Sequence, residues 1–515
     1  MTKIVLTTDQ TLLSHFHDIP LGNFLSCMPA ESVPDAFFNF LTPYLPAKQD
    51  GSSKFAPYGF RKVEASLLRN FKREDVVVAH PKFLNKFIGP DTEIVGIYSM
   101  DPLGLGPVSM MYSCNKTAYT KKRFTELVQQ LPKGPQYKYK VVCGGPGVWQ
   151  LDFNRPKMDE LGIDYIVMGE SDVQAPAILQ EIIQGTATNR VIKNTRAPRI
   201  EDIPAIVGAS SEGMVECMRG CGRGCQFCEV TLRPNRYMPF ELLEKEINVN
   251  IQAGMSRLMI HTDDLFMYKF EDRSSLSPNC DAIVELFQFL TKIRGLSYIY
   301  PSHGSISPIV AEPELIPKLS QILGAGPEKW IGIQQGLETG SPKIVKKYMP
   351  LKVKPLNPDD WQEIVLESLT ILNKNYWSPA YTLITGLPDE TTDDVLQTID
   401  LVNKMDALPI GNFTLAPLSF VPIGVLRGQG YYNREEMIDE ARFNLIYACW
   451  KHNVKCMNKY LLLGMRNTGA VFKPLIYMAT KLGQKIFMNQ FEAYGRKRGF
   501  EVWKPETNLK VAVSV

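Results

Sequence analysis

The stretch CMRGCGRGCQFC, residues 217–228, holds four of the chain's ten cysteines. Cys221, Cys225 and Cys228 are spaced C-x3-C-x2-C, and Cys217 stands four residues upstream. Structural zinc usually takes two separated C-x2-C pairs or Cys–His pairs, and a single loop with this spacing fits it poorly. Soft thiolates also hold iron–sulfur clusters, and a cluster bound by only three of them keeps one iron open to another ligand. Gly222 and Gly224, with Arg219 and Arg223, offer backbone amides and positive charge to an anionic cluster without bulk that would block the open iron.

The loop follows the first strand-like run of an alternating series. Strands are expected at GMVECM (213), RLMIHTDD (257), SYIYPSHGS (297), WIGIQQG (330), YTLITG (381) and NFTLAPL (412). Six strand–helix units make a partial barrel, with its chemistry at the strand carboxyl ends. Upstream, KIVLTT (3), DVVVAH (75), EIVGIYSM (93), YKVVCGG (139) and DYIVMGE (164) alternate with helix-like segments, the pattern of a doubly wound parallel sheet. Its ligand is expected where loops leave the carboxyl ends, which singles out residues 98–110 and 143–152. Paired glycines there let a backbone approach a large flat ligand, because no Cβ intervenes. The dinucleotide fingerprint G-x-G-x-x-G is absent, which disfavours NAD or FAD. The expected organisation is α/β: a Rossmann-like domain over 1–175, a linker over 176–208, a partial barrel over 209–430 and a helical module over 431–515. Asn433 and Glu436 form a capping pair expected to open the module's long helix.

Composition narrows the partners. With 44% hydrophobic residues in 515, the chain has ordinary globular content. Its opening residues, MTKIVLTTDQTLL, turn polar too soon for a secretory signal or a transmembrane helix. The cysteines lack the dense spacing of a disulfide framework, so a reducing cytoplasm is expected. The net charge of +3 conceals an asymmetry: residues 451–515 carry twelve Lys plus Arg against three Asp plus Glu, and the rest carries 45 against 51. Such a basic end suits an anionic partner, for which a protein or peptide substrate is favoured over nucleic acid; peripheral membrane contact through 472–491 is the alternative.

ECMRGCGRGCQFCE (216–229) resembles the cluster loop of radical S-adenosylmethionine (SAM) enzymes, including Phe227 before the last ligand. IGIQQGLETGSPKIVKKY (331–348), YTLITGLPDETTDDVLQTIDLV (381–402) and APLSFVPIG (416–424) resemble the fourth-, fifth- and sixth-strand segments in the right order. KVVCGGPGVWQLDFNRPKMDELGIDYIVMGESD (140–172) resembles the cobalamin-binding domain that precedes the barrel in the B12-dependent branch.

The resemblance implies a [4Fe-4S] cluster on Cys221, Cys225 and Cys228, with Cys217 a non-ligand; a four-thiolate cluster with no open iron is the alternative. It implies SAM on the open iron, split by electron transfer from an external donor into methionine and a deoxyadenosyl radical. Asp263 and Asp264 are then expected at the methionine ammonium, with a cap for the following loop as the alternative for Asp264. His303 and Ser305, ending the third strand, are expected beside SAM, with a structural histidine as the alternative for His303, and Gln335 and Glu338 after the fourth are expected at the ribose hydroxyls or the carboxylate. Cobalamin is expected on Ser99, Met100, Asp101, Leu103 and Gly104 together with Gly144, Gly145, Gly147 and Val148. Free-standing cobalamin modules often carry D-x-H-x-x-G; in DPLGLG (101–106) Leu103 stands where that histidine would be, which implies no histidine on cobalt. The implied activity is C-methylation of an unactivated sp3 carbon, in archaeal members a glutamine of methyl-coenzyme M reductase. Modification of a lipid or tetrapyrrole is the rival enzyme reading. A non-catalytic corrinoid and iron–sulfur electron carrier is the rival of another class.

Overall fold

The computed structural model describes residues 2–16, 22–113, 116–409, 411–464 and 472–502. The chain divides into two compact units: Met1–Gly220, Arg233–Thr262 and Phe289–Pro301 in the first; Cys221–Leu232, Asp263–Gln288 and Ser302–Val515 in the second.

The first unit contains a six-stranded sheet of β1 (Ile4–Thr8), β2 (Val76–Val78), β3 (Ile94–Tyr98), β4 (Lys140–Gly144), β5 (Tyr165–Met168) and β6 (Val191–Lys193). Its order is β2-β1-β3-β4-β5-β6, and every pairing is parallel. Successive side chains of a strand point to opposite faces. Thus Ile4 and Leu6 enter one core with Phe60 and Leu67 of α1 (Tyr58–Leu67), while Val5 enters the other with Phe124 and Leu127 of α2 (Tyr119–Gln129). Both faces being covered explains why β1 reads as an uninterrupted buried run. The chain crosses from β2 over β1 to β3, so the strand order reverses between β1 and β3, where doubly wound folds bind ligands. The sixth strand corrects the sequence reading, which placed 176–208 in a linker. β6 is three residues at a partly exposed sheet edge, too short to stand out as a strand.

Helix α1 is fastened by charge as well as by apolar packing. Lys62 and Glu246, the latter on α3 (Phe240–Gln252), form an ion pair whose side chains are both 0% exposed. Lys62 also donates to the Pro204 carbonyl at 2.8 Å, and Glu246 accepts from the Tyr58 hydroxyl at 2.7 Å and the Ile206 amide at 3.1 Å. The same unit holds a second parallel sheet, β7 (Val215–Glu216), β8 (Arg257–His261) and β9 (Tyr298–Pro301), in the order β9-β8-β7.

In the second unit β10 (Ile331–Glu338), β11 (Trp377–Thr385) and β12 (Thr414–Ser419) pair in parallel in that order. The six strands expected for the barrel therefore form as two three-stranded sheets, one in each unit. Against β10–β12 pack α4 (Trp361–Lys374), α5 (Thr392–Asp406) and α6 (Glu440–Gly464). Leu445, Ala448 and Cys449 of α6 share one core with Tyr381, Leu383 and Leu415 of the sheet, so this helix completes the sheet's packing. Asn433 caps only the four-residue helix Arg434–Met437. The long helix starts at Glu440, where the Asp439 carboxylate accepts from the Arg442 amide at 2.8 Å, which corrects the expected start. α7 (Phe472–Lys497) follows.

His452 holds α6 in place. Its Nδ1 lies 2.7 Å from Asp406 and its Nε2 lies 3.0 Å from the Phe413 carbonyl, with the ring stacked on Phe413. Burial opposes the imidazolium, but the bonds to Asp406, Cys456 and Phe413 outweigh it and raise the pKa to about 9. The folded value exceeds the free value of about 6.5, so the stabilisation is complete below that pH and is lost as pH rises through about 9. His452→Gln should therefore cost on the order of 2 kcal/mol near neutrality. Thermal melting from pH 6 to 10 should show the gap to the parent closing at the alkaline end; a constant gap would refute the charged-ring account.

Candidate active site

The cysteine triplet lies on one loop of the second unit, shaped by partners distant in sequence. The Gln226 amide donates to the Tyr348 carbonyl at 2.9 Å, and its carbonyl accepts from the Val425 amide at 2.9 Å. Glu229 accepts from the Gly424 amide at 3.1 Å and from Arg427 at 2.8 Å. Gly424 has φ +62°, and a Cβ there would stand 2.7 Å from the Cys228 carbonyl oxygen, so glycine is required at this crossing. Within the loop, the Gly224 amide donates to Thr231 Oγ1 at 2.7 Å.

Burial is the main cause raising all three thiol pKa values. Asp264 adds to it at Cys221, which lies well above the usual range; Cys225 is pushed up to about 12 and Cys228 is raised less. Such thiols ionise when a metal displaces the proton. No three His, Cys, Asp or Glu among the described residues converge on one metal-ion position. A cubane needs no such convergence, because its thiolates bind separate irons. Two buried cations stand beside the triplet. Lys352 is paired with Glu338 at 2.8 Å and lies 6.0 Å from the Phe227 ring centroid. Burial opposes the Lys352 charge, but Glu338 and the thiols of Cys225 and Cys228 hold its pKa above the ordinary value. Arg223 is paired with Asp264 at 2.7 Å. The sequence marked neither Lys352 nor Thr382, which donates to Glu338 at 3.2 Å. Lys352 sits in a stretch without a recognisable pattern, and Thr382, though inside the expected YTLITG strand, carries no motif of its own; only folding brings them to the loop. Arg219, expected to face the cluster, is instead held in the first unit by Glu170, Asp172 and Glu216.

The residues expected around SAM divide into structural and open groups. Asp264 accepts from Arg223, from the Ser305 amide at 2.9 Å, from Ser305 Oγ at 2.8 Å and from the Phe266 amide at 3.2 Å. Only 3% exposed, it caps the turn at Leu265–Met267 and serves as a hub that also engages the Ser305 hydroxyl. Gln335 donates through Nε2 to the Ser305 carbonyl at 3.1 Å, while its buried Oε1 has no partner among the described residues. Glu338 sits at an irregularity in the β10–β11 register with φ +64°, a strained position of the kind found at functional sites. Asp263 and His303 are partly exposed, and the His303 ring contacts Ser302 Oγ at 3.0 Å.

The expected cobalamin loops need correction in detail. Gly145 (φ +102°) and Gly147 are glycines because the Ser99–Asp101 backbone crosses them; a Cβ on Gly145 would stand 2.6 Å from the Ser99 carbonyl oxygen. Asp101 accepts from the Gly106 amide, Thr120 and Gln150 at 2.7–2.9 Å and from Ser109, which fixes its own loop. Leu103 and Val148 point into the core beside Phe124, and Ser99 and Gly104 are buried. Leu103 therefore offers a ligand no side chain. What faces outward is Met100, 54% exposed, and Gly144, whose Cβ position has nothing within 4 Å. Asp9, at the carboxyl end of β1, escaped the sequence reading because TTDQT matches no motif; burial, with Asp101 adding to it, raises its pKa to about 6 against the bonds from Thr11.

Residues 215–402, a little over a third of the chain, match the family model described as the radical SAM superfamily, a match that implies a [4Fe-4S] cluster and SAM. The tRNA-2-methylthio-N(6)-dimethylallyladenosine synthase of Thermotoga petrophila is 23% identical over 295 residues, 55% of this chain and 60% of that one. The ribosomal protein uS12 methylthiotransferase RimO of Clostridioides difficile is 23% identical over 219 residues, 41% of this chain and 45% of that one. The chain thus spans at most about three fifths of the length of these curated relatives. Among solved structures, the radical SAM methyltransferase TsrM from Kitasatospora setae, with cobalamin and a [4Fe-4S] cluster bound, aligns over 83% of this chain and 74% of its own. The TM-score is 0.50 at 13% identity, a likeness of fold.

Proposed function

We propose that this chain is a cobalamin-dependent radical SAM methyltransferase acting on an unactivated carbon of a protein residue, a glutamine of methyl-coenzyme M reductase being the named case. The observation that carries the radical part is the three-thiol loop with two buried cations beside it, inside the matched radical SAM segment. The cobalamin part is supported by a flavodoxin-like strand order, whose switch point lies between β1 and β3, with Met100 and Gly144 facing outward at neighbouring strand ends. When bound, the cofactors supply the radical and the methyl group; the protein supplies orientation and exclusion of water. The orphaned Gln335 Oε1 is an acceptor suited to an ammonium, and the Glu338–Lys352 pair presents both signs of charge to a zwitterion. A protein substrate is supported by α7, whose described side chains include the cations Lys481, Lys485, Arg496 and Lys497 and one carboxylate, Glu492, paired with Arg496.

Two observations support second readings. The relatives' names make methylthio transfer the alternative reaction. Exposed Met478, Leu482 and Ile486 on α7 make a lipid the alternative substrate. Reconstituted protein given SAM, hydroxocobalamin and a low-potential reductant should release 5′-deoxyadenosine and add a methyl group to an acceptor peptide. Release of no 5′-deoxyadenosine would leave the electron-carrier reading. A methylthio mass increment, or turnover with anionic vesicles and none with peptide, would replace the present proposal.

A further inference from the structure

Arg223 carries a donor that the polypeptide does not use. Its side chain is 1% exposed. Nε donates to Asp264 at 2.7 Å, and Nη1 donates to the carbonyls of Leu351 and Lys354, each at 3.1 Å. Nη2, equally buried, has no hydrogen-bond partner among the described residues. A buried donor without a partner costs about 1–3 kcal/mol, so its retention in an otherwise fully engaged guanidinium calls for a ligand. Arg223 stands on the cluster loop itself, two residues from Cys221 and two from Cys225.

We infer that Arg223 Nη2 donates a hydrogen bond to a sulfur of the cluster held by Cys221, Cys225 and Cys228 and thereby sets its reduction potential. The inference rests on reading that triplet as a [4Fe-4S] site. Reduction takes one electron from an external low-potential donor, which is oxidised, and adds one negative charge to the cluster. An N–H donor and a cation in low dielectric favour that more negative state, so they raise the potential. Arg223 is the stronger lever because its charge is countered by a carboxylate held against it: Asp264 accepts from Nε at 2.7 Å. Removing the guanidinium therefore also uncovers a carboxylate beside the cluster. Lys352 exerts its charge at Cys225 and Cys228, but its three donors include one already on Glu338, and no orphaned atom marks it for the same role.

The direct measurement uses the parent protein reconstituted with iron and sulfide, labelled with guanidino-15N-arginine, reduced anaerobically and examined by pulsed EPR without SAM. A 15N coupling to the reduced cluster is expected, and it should vanish in Arg223→Lys. A coupling that arises only after SAM is added would assign Nη2 to the SAM carboxylate and overturn the inference. Redox titration monitored by EPR supplies the second arm. Poised at the parent's midpoint, Arg223→Gln should show at least a tenfold lower ratio of reduced to oxidised cluster, about 59 mV for a one-electron couple. Arg223→Gln/Asp264→Asn, which removes both charges, should recover part of that loss. Equal potentials at equal iron content would overturn the inference while leaving the cluster reading intact; a parent that binds no cluster would overturn the reading itself. If Arg223→Gln fails to hold iron, the labelled parent decides alone.

Discussion

Alanine at Cys221, Cys225 or Cys228 is expected to strip the cluster and abolish SAM cleavage, whereas Cys217→Ala should keep both. The three ligand thiols share one loop of the second unit. Each supplies one iron with its only protein ligand, so no remaining group can replace the missing one. Cys217 belongs to the first unit, 0% exposed, with its amide donating to the His261 carbonyl and its carbonyl accepting from the Met238 amide, each at 2.9 Å. Removing its sulfur trims a packed core and should cost only about 1 kcal/mol. Iron and sulfide analysis of the four anaerobically purified variants, with the visible absorption of the cluster, checks this. Iron lost from Cys217→Ala, or retained stoichiometrically by any of the other three, would assign the ligands differently.

Lys62→Met should be the most destabilising single change in the first unit. It leaves Glu246 charged and enclosed, with only the Tyr58 hydroxyl and the Ile206 amide to satisfy it. Breaking one side of a buried ion pair typically costs about 3–5 kcal/mol, a large part of the roughly 5–15 kcal/mol that holds a domain. Burial already raises the Glu246 pKa against the pull of Lys62 and Tyr58, so without the lysine it should take up a proton on folding. The loss should then shrink as pH falls towards 5. Lys62→Met/Glu246→Leu removes both charges and should be more stable than Lys62→Met, although Tyr58 and Ile206 lose their acceptor. Urea midpoints for the parent and the two variants at pH 5 and 8 test this. A double variant less stable than the single one would show that the hydrogen bonds to Glu246, and not its uncompensated charge, dominate.

What the sequence made legible was whatever is carried by local pattern. β1 through β5 and β7 through β12 were visible because apolar runs of a few residues recur between helical stretches. The cluster triplet was visible because three ligands share eight residues. What escaped depends on contacts made over long chain distances. Lys352 becomes part of the site through Glu338 and the Phe227 ring, and Gly424 through Cys228 and Glu229. Asp264 looked like a ligand-binding acid because it ends a strand at the place where chemistry is expected; Arg223, forty-one positions earlier, claims it instead. The glycines at 145 and 147 show a different failure. Sequence identifies a position that tolerates no Cβ, but not whether a ligand or the chain's own backbone occupies the space, and at both it is the Ser99–Asp101 segment.

The clamp on the cluster loop also bears on biosynthesis. Glu229 is gripped by Arg427, 198 residues later, and Cys228 is overlaid by Gly424. At a synthesis rate of about 5–20 residues per second, the ribosome needs roughly 10–40 s to travel from one to the other. Through that interval the three cysteines exist while the residues that shape their loop do not. Metal insertion into a finished site thus follows translation of β12 and the Gly424 turn, and the nascent thiols must stay reduced until then. An oxidant present during synthesis harms the protein at a stage when the completed fold would have shielded it.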